Sequence, residues 1–311
     1  LHIGPPKTAT TGLQYAFEAV ADETLIYGGT FQPRDRNSGS LSDILARAAK
    51  ESSTRRDRPL QGALTGIREE IGAGRTVIIS EEMLVVSDTV PVAERLAFLG
   101  ECLAGVPTTV ILCARDPQEA IPSFYQEAYS SLPFLTKLSF ARFCRSDMID
   151  CYDYRKIVNL LQEAGFDTIR IMDFEQLCSG PLTLRDLFDC PDLPDTRLSL
   201  RKVNTSRIKD NPTVRKLEPI SLKIIGQTRL FRKLRKLPVF GDDQVAGGLA
   251  AIAGLIRIPN SEYRRLSIPE AQVQYFVASY QFARRLQARS VRPTTAAGPR
   301  DAPGSPPSPM P

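Results

Sequence analysis

Apolar residues along the chain follow two rhythms. Residues 76–80 (TVIIS) and 108–113 (TTVILC) are β-branched, nearly unbroken apolar runs, the pattern of strands buried on both faces of a parallel sheet. Shorter runs at 1–3, 25–27 and 168–172 add three more strand candidates. Between them, apolar residues recur at helical spacing over 10–21, 41–50, 60–72, 91–103, 117–130, 154–164, 181–188 and 269–289. Local signals bound these helices: Gly72 and Gly74 close the third, Pro91 is read as the first residue of the fourth, and Gly165 stops the sixth. Strand–helix alternation predicts an α/β fold with a central parallel β-sheet flanked by helices on both faces. Farther along, Leu217, Ile220, Ile224, Phe231 and Leu234 keep helical spacing and predict a helix over 213–237.

The expected organisation is one domain over 1–290, with an α/β core at 1–190 and a mainly helical part at 191–290. From Val291 onward, seven of 21 residues are proline, and this stretch is read as a disordered tail. No run approaches the ~18–20 apolar residues of a membrane span, which points to a soluble, cytoplasmic chain. The first residue is Leu1, already inside a strand, which leaves room for an upstream targeting or anchor segment.

Composition narrows the chemistry. Hydrophobic residues make up 42% and charged residues 24%, as in a globular protein, which excludes a wholly disordered chain. There is no Trp and a single histidine, His2, so a His-rich zinc site is excluded, as is a Ser-His-Asp triad that does not use His2. Six cysteines without a C-x-x-C pair read as reduced core thiols. The formal charge of +5 is unevenly spread: residues 201–236 hold twelve Lys/Arg against two acids, so the rest of the chain is acidic. Such a block suits an anionic partner, an acidic glycan or a membrane surface, or is only a solvated helix face. No aromatic-rich platform accompanies it, so nucleic acid is not expected.

The most informative stretch is LHIGPPKTATTGLQ, residues 1–14: a strand, a Gly-Pro-Pro turn, Lys7, then a Thr-rich helix start. A helix N-terminus offers unpaired N–H groups to an anion, Lys7 adds a mobile charge, and Thr8, Thr10 and Thr11 add hydroxyls. The stretch is not a Walker A loop, which would need glycine at positions 1 and 6. PPKTATTGLQ resembles the 5′-phosphosulfate loop, P-K-[ST]-G-T-T, of sulfotransferases that use 3′-phosphoadenosine 5′-phosphosulfate (PAPS), and is most similar to the bacterial HIGPPKTGTT branch. Ala9 stands where that family has Gly, and fits if the backbone there is right-handed helical. A second stretch, VILCARDPQEAIPSFYQ at 110–126, resembles the family's 3′-phosphate motif, with Ser123 eight residues after Arg115. An Arg fork and a hydroxyl two turns along the next helix suit one phosphate dianion. IRIMDFEQL at 169–177 and VNTSR at 203–207 resemble later family elements, with Glu175 expected to organise a turn.

The resemblance implies a P-loop-type sulfotransferase fold and transfer of a sulfuryl group from PAPS to a hydroxyl on a glycan, glycolipid or small alcohol. It implies that Pro6, Lys7, Thr8, Ala9, Thr10 and Thr11 hold the 5′ side and Arg115 and Ser123 the 3′ side. Lys7 holds the bridging and sulfate oxygens, and no metal is required. For the base, TVIISEEML delivers Ser80, Glu81 and Glu82 to the carboxyl edge of the sheet, where open α/β folds bind ligands. Glu81 aligns with the family's recurring acid and is the expected base, with Glu82 and His2 as alternatives; the plain role of a helix N-terminal acid stabilised by the dipole suits Glu82 better than Glu81. Two rival readings stay open, an anion-binding homologue without catalysis and a P-loop kinase. A peripheral membrane contact through 213–237 also stays open.

Overall fold

The structure, a computed structural model, describes residues 1–30, 39–50, 58–86, 90–128, 132, 133, 136, 139–188, 190, 193, 195–200, 213–215, 257–259 and 266–290. Five parallel strands form the sheet: β1 (His2–Ile3), β2 (Leu25–Thr30), β3 (Thr76–Ser80), β4 (Thr109–Ala114) and β5 (Thr168–Asp173). Their order is β2–β3–β1–β4–β5. β1 is short yet central: His2 lies level with Ser80 of β3 and Ile111 of β4.

β4 shows why its sequence lacks polar alternation. Val110, Leu112 and Ala114 enter one core and Ile111 and Cys113 the other, so both faces are covered. On one face, α1 (Thr10–Val20) packs Leu13, Ala16 and Phe17 against Ile78, Ile111 and Met172. On the other lie α2 (Leu41–Lys50), α3 (Arg58–Gly72), α4 (Val92–Cys102), α5 (Pro117–Ala128) and, beyond the four-residue α6 (Phe140–Phe143), α7 (Tyr154–Glu163). α4 and α7 cross so closely that a Cβ at Gly100 would lie 1.9 Å from the Ala164 carbonyl oxygen. The chain leaves β1 toward one face and neighbouring β4 toward the other, which opens a crevice at their carboxyl ends.

Past β5 the short helices α8 (Phe174–Ser179) and α9 (Leu184–Phe188) follow, and the last described helix is α10 (Glu270–Ser290). α10 packs on β5, α7 and α5 and adds Phe276 and Ala283 to the larger core.

Several boundaries differ from the sequence reading. Pro91 precedes α4 as its N-cap residue instead of opening the helix. The stretch 181–188 is split, because Leu182–Thr183 forms β6 and pairs antiparallel with β7 (Arg197–Leu198) before α9 begins. The helix expected from 213 does not start there: Thr213–Arg215 is β8, antiparallel to β9 (Arg257–Pro259), since β-branched Thr213 and Val214 have a strand to pair with. The remainder of that basic block, the 203–207 element and the tail lie outside the described residues. All six cysteines are free. No helix among the described residues is long and apolar enough to cross a membrane.

Candidate functional site

The loop from Gly4 to Ala9 joins β1 to α1. Gly4 is needed for close approach: a Cβ there would lie 2.7 Å from Thr8 Oγ1 and 3.1 Å from Cys113 Cβ. Lys7 (φ 69°) and Ala9 (φ 65°) are the only non-glycine residues with positive φ among those described. The expectation of right-handed backbone at Ala9 therefore fails, since its φ and ψ of 65° and 13° are left-handed. Lys7 and Ala9 flank Thr8, and left-handed residues within a turn are the setting in which successive N–H groups can form an anion-binding concavity. Strain of this kind persists where the surroundings over-determine it. Ala9 supplies no side-chain cap, so the N–H groups of the first turn of α1 remain available to an anion.

The hydroxyls are not equivalent. Thr8 Oγ1 donates to the Pro5 carbonyl at 2.7 Å, so its one proton braces the loop. Thr10 is buried beside it, with the two hydroxyl oxygens 3.3 Å apart, and Thr11 is half-buried.

Arg115 leaves β4 across the crevice. Its Nη1 donates to the Lys7 carbonyl at 3.0 Å, tying the two loops together. Its guanidinium lies 4.3 Å from the Phe174 ring centroid, within cation–π range, and its Nε is buried without a protein partner. Two tyrosines fix the backbone of these loops. Tyr152 Oη donates to the Pro6 carbonyl at 2.7 Å. Tyr154 Oη accepts from the Arg115 N–H at 2.9 Å and donates to the Arg115 carbonyl at 2.8 Å.

Ser123 sits on α5 between Glu119 and Glu127, at four-residue steps along one face. Arg115 Nη2 pairs with Glu119 Oε2 at 3.1 Å, and Lys7 Nζ with Glu127 Oε2 at 3.1 Å. The face carrying Ser123 is thus the face that meets both cations. The structure brings together Pro6 through Thr11, Arg115 and the α5 face that carries Ser123.

The carboxyl end of β3 gives two neighbours different surroundings. Glu81, 1% exposed, caps the 3₁₀ turn Glu82–Val85: its Oε1 accepts from the Met83 N–H at 2.9 Å, and its own N–H donates to the His2 carbonyl at 3.1 Å. Glu81 is thus the cap itself, and Glu82 is the acid in the first turn, the place the plain reading gave it. Glu82 is half-buried, and its carboxyl is pushed up to about 7, first by burial and then by the neighbouring charges of Glu127 and Glu81, against the pull of Lys7 and Lys50. Arg95 of α4 braces the turn, its Nη1 donating to the Met83 carbonyl at 3.0 Å and to the Val86 carbonyl at 2.6 Å.

His2 has no exposed surface. Its Nδ1 lies 2.7 Å from Ser80 Oγ and its Nε2 3.2 Å from Cys113 Sγ, so the ring cross-links β3, β1 and β4. Burial drives it down to about 3 and keeps it neutral. Farther along, Asp173, and not Glu175, organises the turn into α8, accepting the Glu175 N–H at 2.9 Å while Glu175 itself is exposed. Among the described residues, no group of three or more His, Cys, Asp or Glu could hold a metal ion.

The sequence reading missed Tyr152, Tyr154, Phe174, Glu119 and Glu127. The two glutamates left a signal in their even spacing about Ser123, and Phe174 stood inside the 169–177 element without a role being read for it. No family model, curated protein or solved structure matches the chain.

Proposed function

We propose that this protein is a sulfotransferase that moves the sulfuryl group of PAPS to an acceptor hydroxyl on a glycan, glycolipid or small alcohol. The observation that carries the reading is the hydrogen bond from Arg115 to the Lys7 carbonyl. It joins the loop resembling a 5′-phosphosulfate motif to the loop resembling a 3′-phosphate motif, at the crevice where the sheet topology favours a ligand. The residues suit such a donor. On the 5′ side stand Lys7, the N–H concavity, Thr10 and Thr11; on the 3′ side, Ser123 and Arg115, whose buried Nε has no protein partner.

PAPS supplies the sulfuryl group when bound. The acceptor oxygen forms the new bond to sulfur as the bond from sulfur to the 5′-phosphate oxygen breaks, and the acceptor proton goes to a carboxylate. Lys7 and the loop N–H groups hold the charge that collects on the leaving phosphate. We assign the base role to Glu82 in place of Glu81. The Glu81 carboxylate is buried on a cap, whereas Glu82 titrates near neutrality, where a general base works best, contributing on the order of 10²–10⁴ in rate. Free cysteines suit the reducing cytoplasm, and the basic block suits capture of an anionic acceptor.

Calorimetry with adenosine 3′,5′-bisphosphate, AMP and ADP tests the reading. The bisphosphate should bind most tightly, and transfer of ³⁵S from labelled PAPS to an extract-derived acceptor should require Lys7. Preference for ADP over the bisphosphate would overturn it.

A further inference from the structure

Both cations of the anion site are already paired, and both partners stand on one face of α5. Lys7 and Arg115 side chains are 21% and 19% exposed, whereas those of Glu127 and Glu119 are 50% and 61% exposed. The carboxylates are therefore more open to solvent than the cations they pair with. Helix stability accounts for only one of them. Glu119 lies in the first turn of α5, where the positive end of the helix dipole favours an acid. Glu127 is the penultimate residue, where the same dipole disfavours one, so its placement answers to Lys7 and not to the helix.

We propose that Glu119 and Glu127 are built-in counter-ions of the phosphate site, which a ligand displaces one per phosphate group, so that they set how strictly the site selects a doubly phosphorylated ligand. A ligand carrying two phosphate groups recovers both lost ion pairs, whereas a singly phosphorylated one leaves the other cation on its carboxylate. With each cation held on its own carboxylate, the empty site has less attraction for stray anions such as chloride. The inference rests on the anion-site reading of the two loops, but not on sulfuryl transfer.

Titration calorimetry of the intact chain with inorganic phosphate and with adenosine 3′,5′-bisphosphate tests it. At low salt, Glu127→Gln and Glu119→Gln should each tighten inorganic phosphate roughly two- to fivefold, the range of half-exposed ion pairs. Both gains should shrink at high salt, where exposed charges are screened. The double variant should bind the bisphosphate tighter by the product of the two gains. In a Lys7→Ala background, Glu127→Gln should have no effect, which ties the gain to that pair. Weaker or unchanged binding in both Gln variants, while the parent chain binds phosphate, would overturn the counter-ion role alone. Failure of every protein to bind either ligand would overturn the anion site with it.

Discussion

Ala9 offers the sharpest test of the loop. At φ 65° and ψ 13° its Cβ crowds the following carbonyl, a strain of ~1–2 kcal/mol for an L-residue that glycine escapes. Glycine also gives the unfolded chain more freedom, which returns ~0.4–1 kcal/mol in the opposite direction. As an N-cap without a capping side chain, alanine is also a poorer choice than glycine. The difference favours Ala9→Gly by ~0.5–1 kcal/mol, or ~1–4 °C in melting temperature. Ala9→Val should move the other way, because a β-branched residue at positive φ is an outlier. Differential scanning calorimetry of the three proteins reads the order directly. If Ala9→Gly lowered the melting temperature, as a glycine does inside a right-handed helix, and Ala9→Val left it unchanged, the left-handed assignment would be refuted.

Glu82→Gln should slow sulfuryl transfer by ~10²–10⁴ with nucleotide binding intact by calorimetry; wild-type turnover in that variant would remove Glu82 as the base. In the parent chain turnover should fall as pH drops through about 7, and Glu127→Gln should shift that limb to lower pH, since it removes a charge that raises the Glu82 pKa. Because the folded carboxyl sits near 7 against an ordinary 4.5, the native state holds the proton more tightly. Stability should therefore fall as pH rises from 4.5 to 7, and denaturant melts of Glu82→Gln should lack that slope. His2 has the opposite sign: its folded value near 3 against 6.5 means stability falls as pH drops through that interval, a loss that His2→Asn, though less stable overall, should not show in the same melts. Arg115→Ala should weaken binding of the 3′,5′-bisphosphate by ~2–5 kcal/mol while AMP affinity barely changes in the same titrations; equal losses for both would mark Arg115 as a loop tie only.

The sheet was legible because its strands are buried on both faces, and a run such as 76–80 states that burial in the sequence itself. That Ser123 falls on the helix that follows Arg115 was legible for a local reason, the helical spacing past Pro117. What stayed hidden depends on the fold as a whole. Left-handed backbone at Lys7 and Ala9 has no propensity signature, as neither residue favours it. That Glu81 is held as a cap turns on which carboxylate faces the Met83 N–H. Short α8 held too few residues to show a period, and its cap, Asp173, is identified by its bond to the Glu175 N–H. The loop-holding tyrosines reach partners 146 and 39 residues away, which no local pattern announces.

Tyr152 and Tyr154 also bear on the order in which the site comes into being. One holds the Lys7 loop and the other the Arg115 loop, and Asp153 between them accepts hydrogen bonds from Tyr275 and Ser279 of α10. During synthesis the hydroxyl that fixes Pro6 follows the phosphate loop by 146 residues, and the helix that fixes Asp153 comes more than a hundred residues after that. Closures of that length are entropically slow to reach, and parallel sheets built from them fold slowly. A nascent chain would therefore carry the motif long before it could grip an anion. Anion binding should accordingly be among the last properties gained on refolding, trailing the recovery of helical signal.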